Sequence, residues 1–481
     1  MKRLVHGVVL VILLTCVVCE SFAFAEGPTA AAVERGFWTE PELWKSPVYQ
    51  RLVEYDVGSV QAILFDSLPW KGNPTKTFAY IGFPDAMSNG EKEENGSAPH
   101  ENASVTCRSE RPPTESAWFW RDTTREEYGK EEYGKYEECG KYPAIVLVHV
   151  GGGTAFAHWV QLWNDRGWIA IAMDTCGSLP DGADGTPHPR HDAGGPPGWG
   201  GFDQVELPEQ DQWTYHAVAD VILAHSLVRS LPQVDPQRTG ITGISWGGYL
   251  TCITAGVDPR FRFAVPQYGC GYLGDNSAWL NELRPTPSPD GSNAQSLANA
   301  KYWLSRWDPS VWIPSVPPTT QFLWIDGTND LPYPLDSLQK TYSLLPESQR
   351  TLCVTIRMPH YHFITPEEIR VFADTWGYNG AGLAKILRYG VESGSTDRVF
   401  AQAQRTDTVT ITEATLCYTT ETTAWQDRVW SATAANVATD SDGTVWATAT
   451  LPTGTTAWYI NFVDNRKCTV STPHRERYGV L

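Results

Sequence analysis

Gly243-Ile244-Ser245-Trp246-Gly247 constrains this chain more than any other segment. It joins an apolar β-type run, Thr239-Gly-Ile-Thr-Gly-Ile244, to a helix-forming stretch, Gly248-Tyr-Leu-Thr-Cys-Ile-Thr-Ala255. A strand that becomes a helix within so few residues leaves no space for side chains beside the turn. Glycines at 243 and 247, with another at 248, meet that need. Ser245 is then expected to stand at the carboxyl end of a sheet, in the conformation known as a nucleophile elbow. The same pentapeptide in a glycine-rich loop would carry no such meaning, so the flanking segments decide.

Upstream, Tyr142-Pro-Ala-Ile-Val-Leu-Val-His149 is an unbroken apolar run, the pattern of a parallel strand covered on both faces. It leads into Val150-Gly151-Gly152-Gly153-Thr154, similar to an HGGG-type oxyanion loop, in which glycines let backbone N–H groups approach a developing negative charge. The expected donors are the amides of Gly152 or Gly153 and of Trp246. A phosphate-cradling loop would need a lysine at G-x-x-x-x-G-K spacing, which is absent here.

Downstream, Thr319–Ile325 reads as a strand followed by Asp326-Gly-Thr-Asn-Asp330. Thr351–Arg357 is a further strand, followed by Met358-Pro-His360-Tyr-His362. The next helix has Thr365 as expected N-cap, Pro366 at N1, Glu368 closing a capping box, and Ile364 with Ile369 as a staple. Ser245, Asp330 and a histidine thus follow successive strands in that order, the α/β-hydrolase order. His362 is the preferred base because it lies further past its strand; His360 is the alternative. Asp326 is the rival acid, although its place before Gly327 suits a turn cap better.

Residues of about 50–80 and 140–380 resemble the dienelactone-hydrolase and acetyl-xylan-esterase branch of the α/β hydrolases. The resemblance is carried by GGGTAF at 151–156, MDTCG at 173–177, GGPPGWGGFDQ at 194–204, GISWGG at 243–248, GTND at 327–330 with the following YPLDSLQKTY, and MPHYH at 358–362. Val150 departs from the pattern, since relatives often have another glycine there. The resemblance implies a doubly wound, mostly parallel sheet and hydrolysis of carboxylic esters without a cofactor or metal.

The remaining features bound the substrate and the compartment. With 481 residues, 41% of them hydrophobic and 21 of them tryptophan, the chain is long enough for a large α/β core and a smaller second domain. A net charge of -18 disfavours nucleic acid or an anionic membrane as partner, leaving neutral small-molecule or carbohydrate esters. Residues 1–25, with Lys2 and Arg3, an apolar run from Leu4 to Val18 and an Ala23-Phe-Ala25 cleavage site, read as a signal peptide and imply a secreted or periplasmic product without a membrane span. Eight cysteines then remain; Cys107–Cys139 and Cys417–Cys468 are the plausible bridges. His188, His191 and Asp192 come nearest to a metal cluster but suit a pocket rim better.

The catalytic domain is expected over 26–385, with a polar insertion at 86–141 that repeats Glu-Glu-Tyr-Gly-Lys and contains the sequons at Asn95 and Asn102. Ala193–Phe202 is rich in Gly and Pro yet carries Trp199 and Phe202, which suit either the wall of a substrate pocket or a plain surface loop. From 386 to 481 the pattern changes to short β segments at Thr408–Thr412, Thr444–Thr450 and Ala457–Phe462, a small β-sandwich. Its Trp425, Trp430, Trp446 and Trp458 are either core or a sugar-binding face. With the whole Ser, Asp, His set before residue 363, this sandwich is expected to be separable. A prolyl-oligopeptidase-type peptidase shares the triad order but normally brings a propeller for which the chain has no room. A non-catalytic carbohydrate-binding protein on a hydrolase fold is the third reading.

Overall fold

The computed structural model describes residues 38–84, 141–180, 188–361, 365–404 and 408–477. Residues 1–25, read above as a signal peptide, most of the 86–141 segment with its cysteines and sequons, and His362 fall outside them.

A nine-stranded sheet organises the first part of the chain. Its strands are β1 (Tyr49–Arg51), β2 (Gln61–Trp70), β3 (Asn73–Gly82), β4 (Tyr142–Val148), β5 (Ile169–Met173), β6 (Val234–Ile244), β7 (Phe263–Gln267), β8 (Gln321–Gly327) and β9 (Arg350–Thr355). Their order is β1-β2-β3-β5-β4-β6-β7-β8-β9. The first three strands, and the step from β3 to β5, are antiparallel. From β5 through β4 to β9 every pairing is parallel. The apolar run at β4 is central and buried, as its unbroken pattern requires. The helices are α1 (Ala157–Asn164), α2 (Trp213–Ser230), α3 (Trp246–Val257), α4 (Leu280–Leu283), α5 (Ala294–Trp307), α6 (Pro309–Trp312), α7 (Leu335–Tyr342) and α8 (Glu367–Gly377). Residues 213–228 of α2 are all buried, and polar side chains among them bond residues of other elements. His225 bonds Asp258 and Thr239, and Asp220 accepts from Ser67 and Thr77.

The helix after β9 starts later than its sequence suggests. Pro366 is the N-cap and Glu367 the first helical residue. Glu368 does not close a capping box on Thr365, because its carboxylate accepts from the Thr469 amide in the C-terminal part at 2.7 Å.

That part contains β10 (Lys385–Val391), β11 (Arg398–Gln404), β12 (Ile411–Thr419), β13 (Trp430–Ala434), β14 (Asn436–Thr439), β15 (Thr444–Thr450), β16 (Ala457–Asp464), β17 (Thr469–Ser471) and β18 (Arg475–Glu476). They form two antiparallel sheets, β10-β11-β15-β14 and β13-β12-β16-β17, with β18 on β16. Val399, Ala401, Leu416, Val445, Trp458, Ile460 and Phe462 share the core of this sandwich. The strand expected at 408–412 begins at Ile411, where the alternation of Ile411–Thr419 sets in.

Two expectations for this region need correction. Cys417 and Cys468 are buried free thiols, because β16 runs between β12, which holds Cys417, and β17, which Cys468 immediately precedes. The sandwich is also not a loosely attached body. Cys417, Trp425, Trp430, Ala457 and Tyr459 belong to the apolar core of the nine-stranded part. The Val354 carbonyl accepts from Asn461 Nδ2 at 3.1 Å, and the Val354 amide donates to Ser471 Oγ at 2.8 Å. Trp425 and Trp430 are therefore interface core and Trp458 is sandwich core, while Trp446 is partly exposed and bonds Asp440.

Candidate active site

Ser245 is the hinge between β6 and α3, at φ +59° and ψ −118°, a region that side-chain-bearing residues rarely occupy. The strain is held by tight packing around it. A Cβ at 247 would run into the Val148 carbonyl oxygen, and one at 243 into the Gly247 carbonyl. The Ser245 amide donates to Gln267 O at 2.9 Å, tying the elbow to the end of β7.

His360, in the loop after β9, joins the serine to the acid. Its Nε2 lies 2.8 Å from Ser245 Oγ and its Nδ1 lies 2.6 Å from Asp330 Oδ2. An ionised carboxylate can only accept at Nδ1, so Nδ1 carries the hydrogen and Nε2 is free to take the serine proton. Asp330 is buried, and its Oδ1 accepts from the Tyr333 amide at 2.7 Å. The preference for His362 is corrected by this geometry. The four residues 356–359 after β9 already bring the ring of His360 to the elbow, so no longer reach is needed. Tyr268 holds it there, its ring 4.7 Å from the His360 ring and its Oη donating to the Pro359 carbonyl at 2.9 Å.

Asp326 is not the acid. Its Oδ1 accepts from the Gly327 amide at 2.7 Å, while Oδ2 has no partner among the described residues. Burial, reinforced by the charge of Asp330, raises its pKa well above the ordinary carboxylate range.

The Trp246 amide, first in α3, is one of the N-terminal N–H groups that no intrahelical carbonyl satisfies. In the glycine loop the Gly153 amide donates to Val150 O at 3.1 Å and closes a turn. The same Val150 carbonyl accepts from His149 Nδ1 at 2.9 Å, while His149 Nε2 accepts from the Thr175 amide at 3.1 Å. Burial lowers the His149 pKa, so the ring is neutral and suited to both bonds.

Phe202 sits beside the elbow, and Trp199 packs against the residue before the glycine loop. Phe202 is 6.1 Å from the Trp246 ring and 4.9 Å from Trp303, and Trp199 packs edge-on to His149 at 5.5 Å. Sequence reasoning missed His149, Tyr268 and Asn329. His149 and Tyr268 immediately follow the carboxyl ends of β4 and β7, and Asn329 lies two residues past β8, the one signal that could have drawn attention to them.

Comparison with known proteins finds parts of this chain similar to two hydrolase families. Residues 208–378 match the prolyl oligopeptidase family, and residues 129–278 match the acetyl xylan esterase family. The uncharacterized peptidase YuxL of Bacillus subtilis is 29% identical over 130 residues, which span 26% of this chain and only 17% of that protein. Among solved structures, an acetyl xylan esterase from Paenibacillus sp. R4 aligns over 70% of this chain and 90% of its own, with 17% identity and a TM-score of 0.44. An acetyl xylan esterase from Thermoanaerobacterium sp. gives 14% identity and a TM-score of 0.46 over the same shares. The parallel sheet, the elbow after β6 and the two family matches together identify an α/β-hydrolase fold with C-terminal antiparallel sheets.

Proposed function

We propose that this chain is a serine hydrolase of carboxylic esters that works through an acyl-enzyme. The observation that carries the reading is the single hydrogen-bonded line from Ser245 Oγ through His360 to Asp330. In this mechanism His360 Nε2 takes the proton as Ser245 Oγ bonds the ester carbonyl carbon, and the amides of Gly152 and Trp246 receive the oxyanion. His360 then gives that proton to the departing alkoxide, which leaves as an alcohol. A water, deprotonated by His360, attacks the acyl group and releases the acid and free Ser245. Asp330 keeps the imidazole in the reactive tautomer and balances its transient charge.

The match to the acetyl xylan esterase family supports small acyl groups on carbohydrate alcohols as substrates. Export rests on the leader-like residues 1–25. The test is labelling by a fluorophosphonate together with hydrolysis of p-nitrophenyl acetate; a folded protein that neither labels nor turns over would end the proposal. The second reading is a peptidase, favoured by the prolyl oligopeptidase match, which spans Ser245, Asp330 and His360. A kcat/KM on peptidyl p-nitroanilides above that on esters would select it.

A further inference from the structure

Two adjacent residues after β7 touch both partners of the serine–histidine pair. The Gln267 carbonyl receives the Ser245 amide, and the next residue, Tyr268, lies against His360. Tyr268 is fully buried at φ +54°, in the left-handed region that an aromatic residue rarely adopts. Its amide donates to the Ile325 carbonyl of β8 at 2.9 Å, and a Cβ on the following Gly269 would strike the Gly248 backbone of α3. A backbone outlier of this kind is costly and persists only where its surroundings impose it. Here it brings the tyrosine ring centroid 4.7 Å from that of His360, with the planes 35° apart, while Oη donates to the Pro359 carbonyl at 2.9 Å. Tyr333, also fully buried, gives its amide to Asp330 Oδ1 at 2.7 Å and stands 6.3 Å from the His360 ring. Burial pushes both phenols up, so both rings stay uncharged around pH 7.

We propose that Tyr268 is a positioning residue with an electrostatic role: its strained backbone holds an electron-rich ring against His360, and that ring stabilises the imidazolium formed in each half of the reaction. The inference deepens the proposed ester hydrolysis and rests on it. His360 becomes positive when it takes the Ser245 proton and again when it deprotonates water. A cation within about 6 Å of an aromatic centroid is attracted to the π system, most strongly where water is excluded. The neutral imidazole of the resting enzyme gains little from this, so the effect falls on the transition state and on kcat rather than KM. The Tyr268 hydroxyl acts separately, by fixing the peptide that joins Pro359 to His360. At 6.3 Å the Tyr333 ring lies just outside the range of about 6 Å, which leaves the charge to Tyr268.

The test replaces Tyr268 in the full chain by phenylalanine and by phenylalanine fluorinated once or three times on the ring, and measures kcat and KM on p-nitrophenyl acetate. Fluorine keeps the shape of the side chain and withdraws charge from its π system, so a role in packing alone would leave the fluorinated variants equal to Tyr268→Phe. The proposal expects kcat to fall stepwise with each degree of fluorination, by about fivefold from phenylalanine to the trifluorinated ring, with KM constant within about twofold. Tyr268→Phe itself should lose only the part of kcat that depends on the Pro359 bond. Equal kcat across the phenylalanine series, or losses that appear in KM, would overturn the proposal. Fluorophosphonate labelling of the wild type distinguishes this from failure of the esterase reading: a wild type that labels and turns over without any dependence on the ring refutes the role of Tyr268 alone, whereas one that does neither refutes the hydrolase and this inference with it.

Discussion

Asn329 spends both hydrogens of its side-chain amide on two carbonyls of the C-terminal part, those of Gln426 and Arg428, one residue before Asp330. Asp330, the proposed acid, thereby sits next to an anchor on a segment nearly 100 positions later in the chain. Asn329→Ala should lower kcat about tenfold, with little change in overall fold, because a small misplacement of the acid and histidine is costly. Full turnover in a folded Asn329→Ala protein would show that the anchor is irrelevant to chemistry.

Ser245→Ala should keep the circular dichroism of the wild type and lower kcat on p-nitrophenyl acetate by about 10⁴ or more. Residual activity close to wild type would remove Ser245 from the mechanism.

The geometry separates the two histidines. His360→Ala should reduce kcat by about 10⁴ or more, whereas His362→Ala should retain most turnover. The reverse ordering would reinstate the expectation drawn from loop length.

The two acids separate in the same way. Asp330→Asn presents the wrong hydrogen-bonding group to His360 Nδ1 and should cost about 10⁴ in kcat. Asp326→Asn should cost far less, since Asp326 does not touch His360 and its carboxyl is held toward the protonated, uncharged form that an amide resembles. Equal losses in the two variants would contradict the assignment.

Asp220 gives a pH-dependent test of the fold. Burial in α2 raises its pKa to about 7, against the hydroxyls of Ser67 and Thr77 and with some help from the charge of Asp174. Its folded pKa exceeds its unfolded one, so its stabilising contribution is full below about pH 4 and is lost as pH rises through 7. Asp220→Asn does not titrate. Its Tm relative to wild type should therefore rise between pH 4 and pH 8, by an equivalent of at most about 4 kcal/mol. A difference that is flat with pH would mean that Asp220 is ionised throughout.

Truncation near residue 385 should not leave a soluble enzyme. It would uncover the surface against which Trp425, Trp430 and Tyr459 pack and remove the partners of Val354 and Asn329. A monodisperse truncated chain with wild-type kcat would restore the view of a separable accessory domain.

Local sequence was enough for whatever depends on steric exclusion and periodicity. The glycines around Ser245 have one use in a strand-to-helix turn, the apolar run at β4 has no place outside a covered sheet, and the Ser, Asp, His order follows from which strands precede the loops. It could not choose between His360 and His362, because that choice depends on where the ring of Tyr268 and the carboxylate of Asp330 stand in space. Nor could it show that Glu368 would leave its helix cap for Thr469, or that β16 would part Cys417 from Cys468. Those outcomes rest on contacts between residues far apart in the chain, and a hydrogen-bonding side chain near its sequence neighbours is still free to bond a distant partner. Tertiary packing alone decides which partner comes within reach.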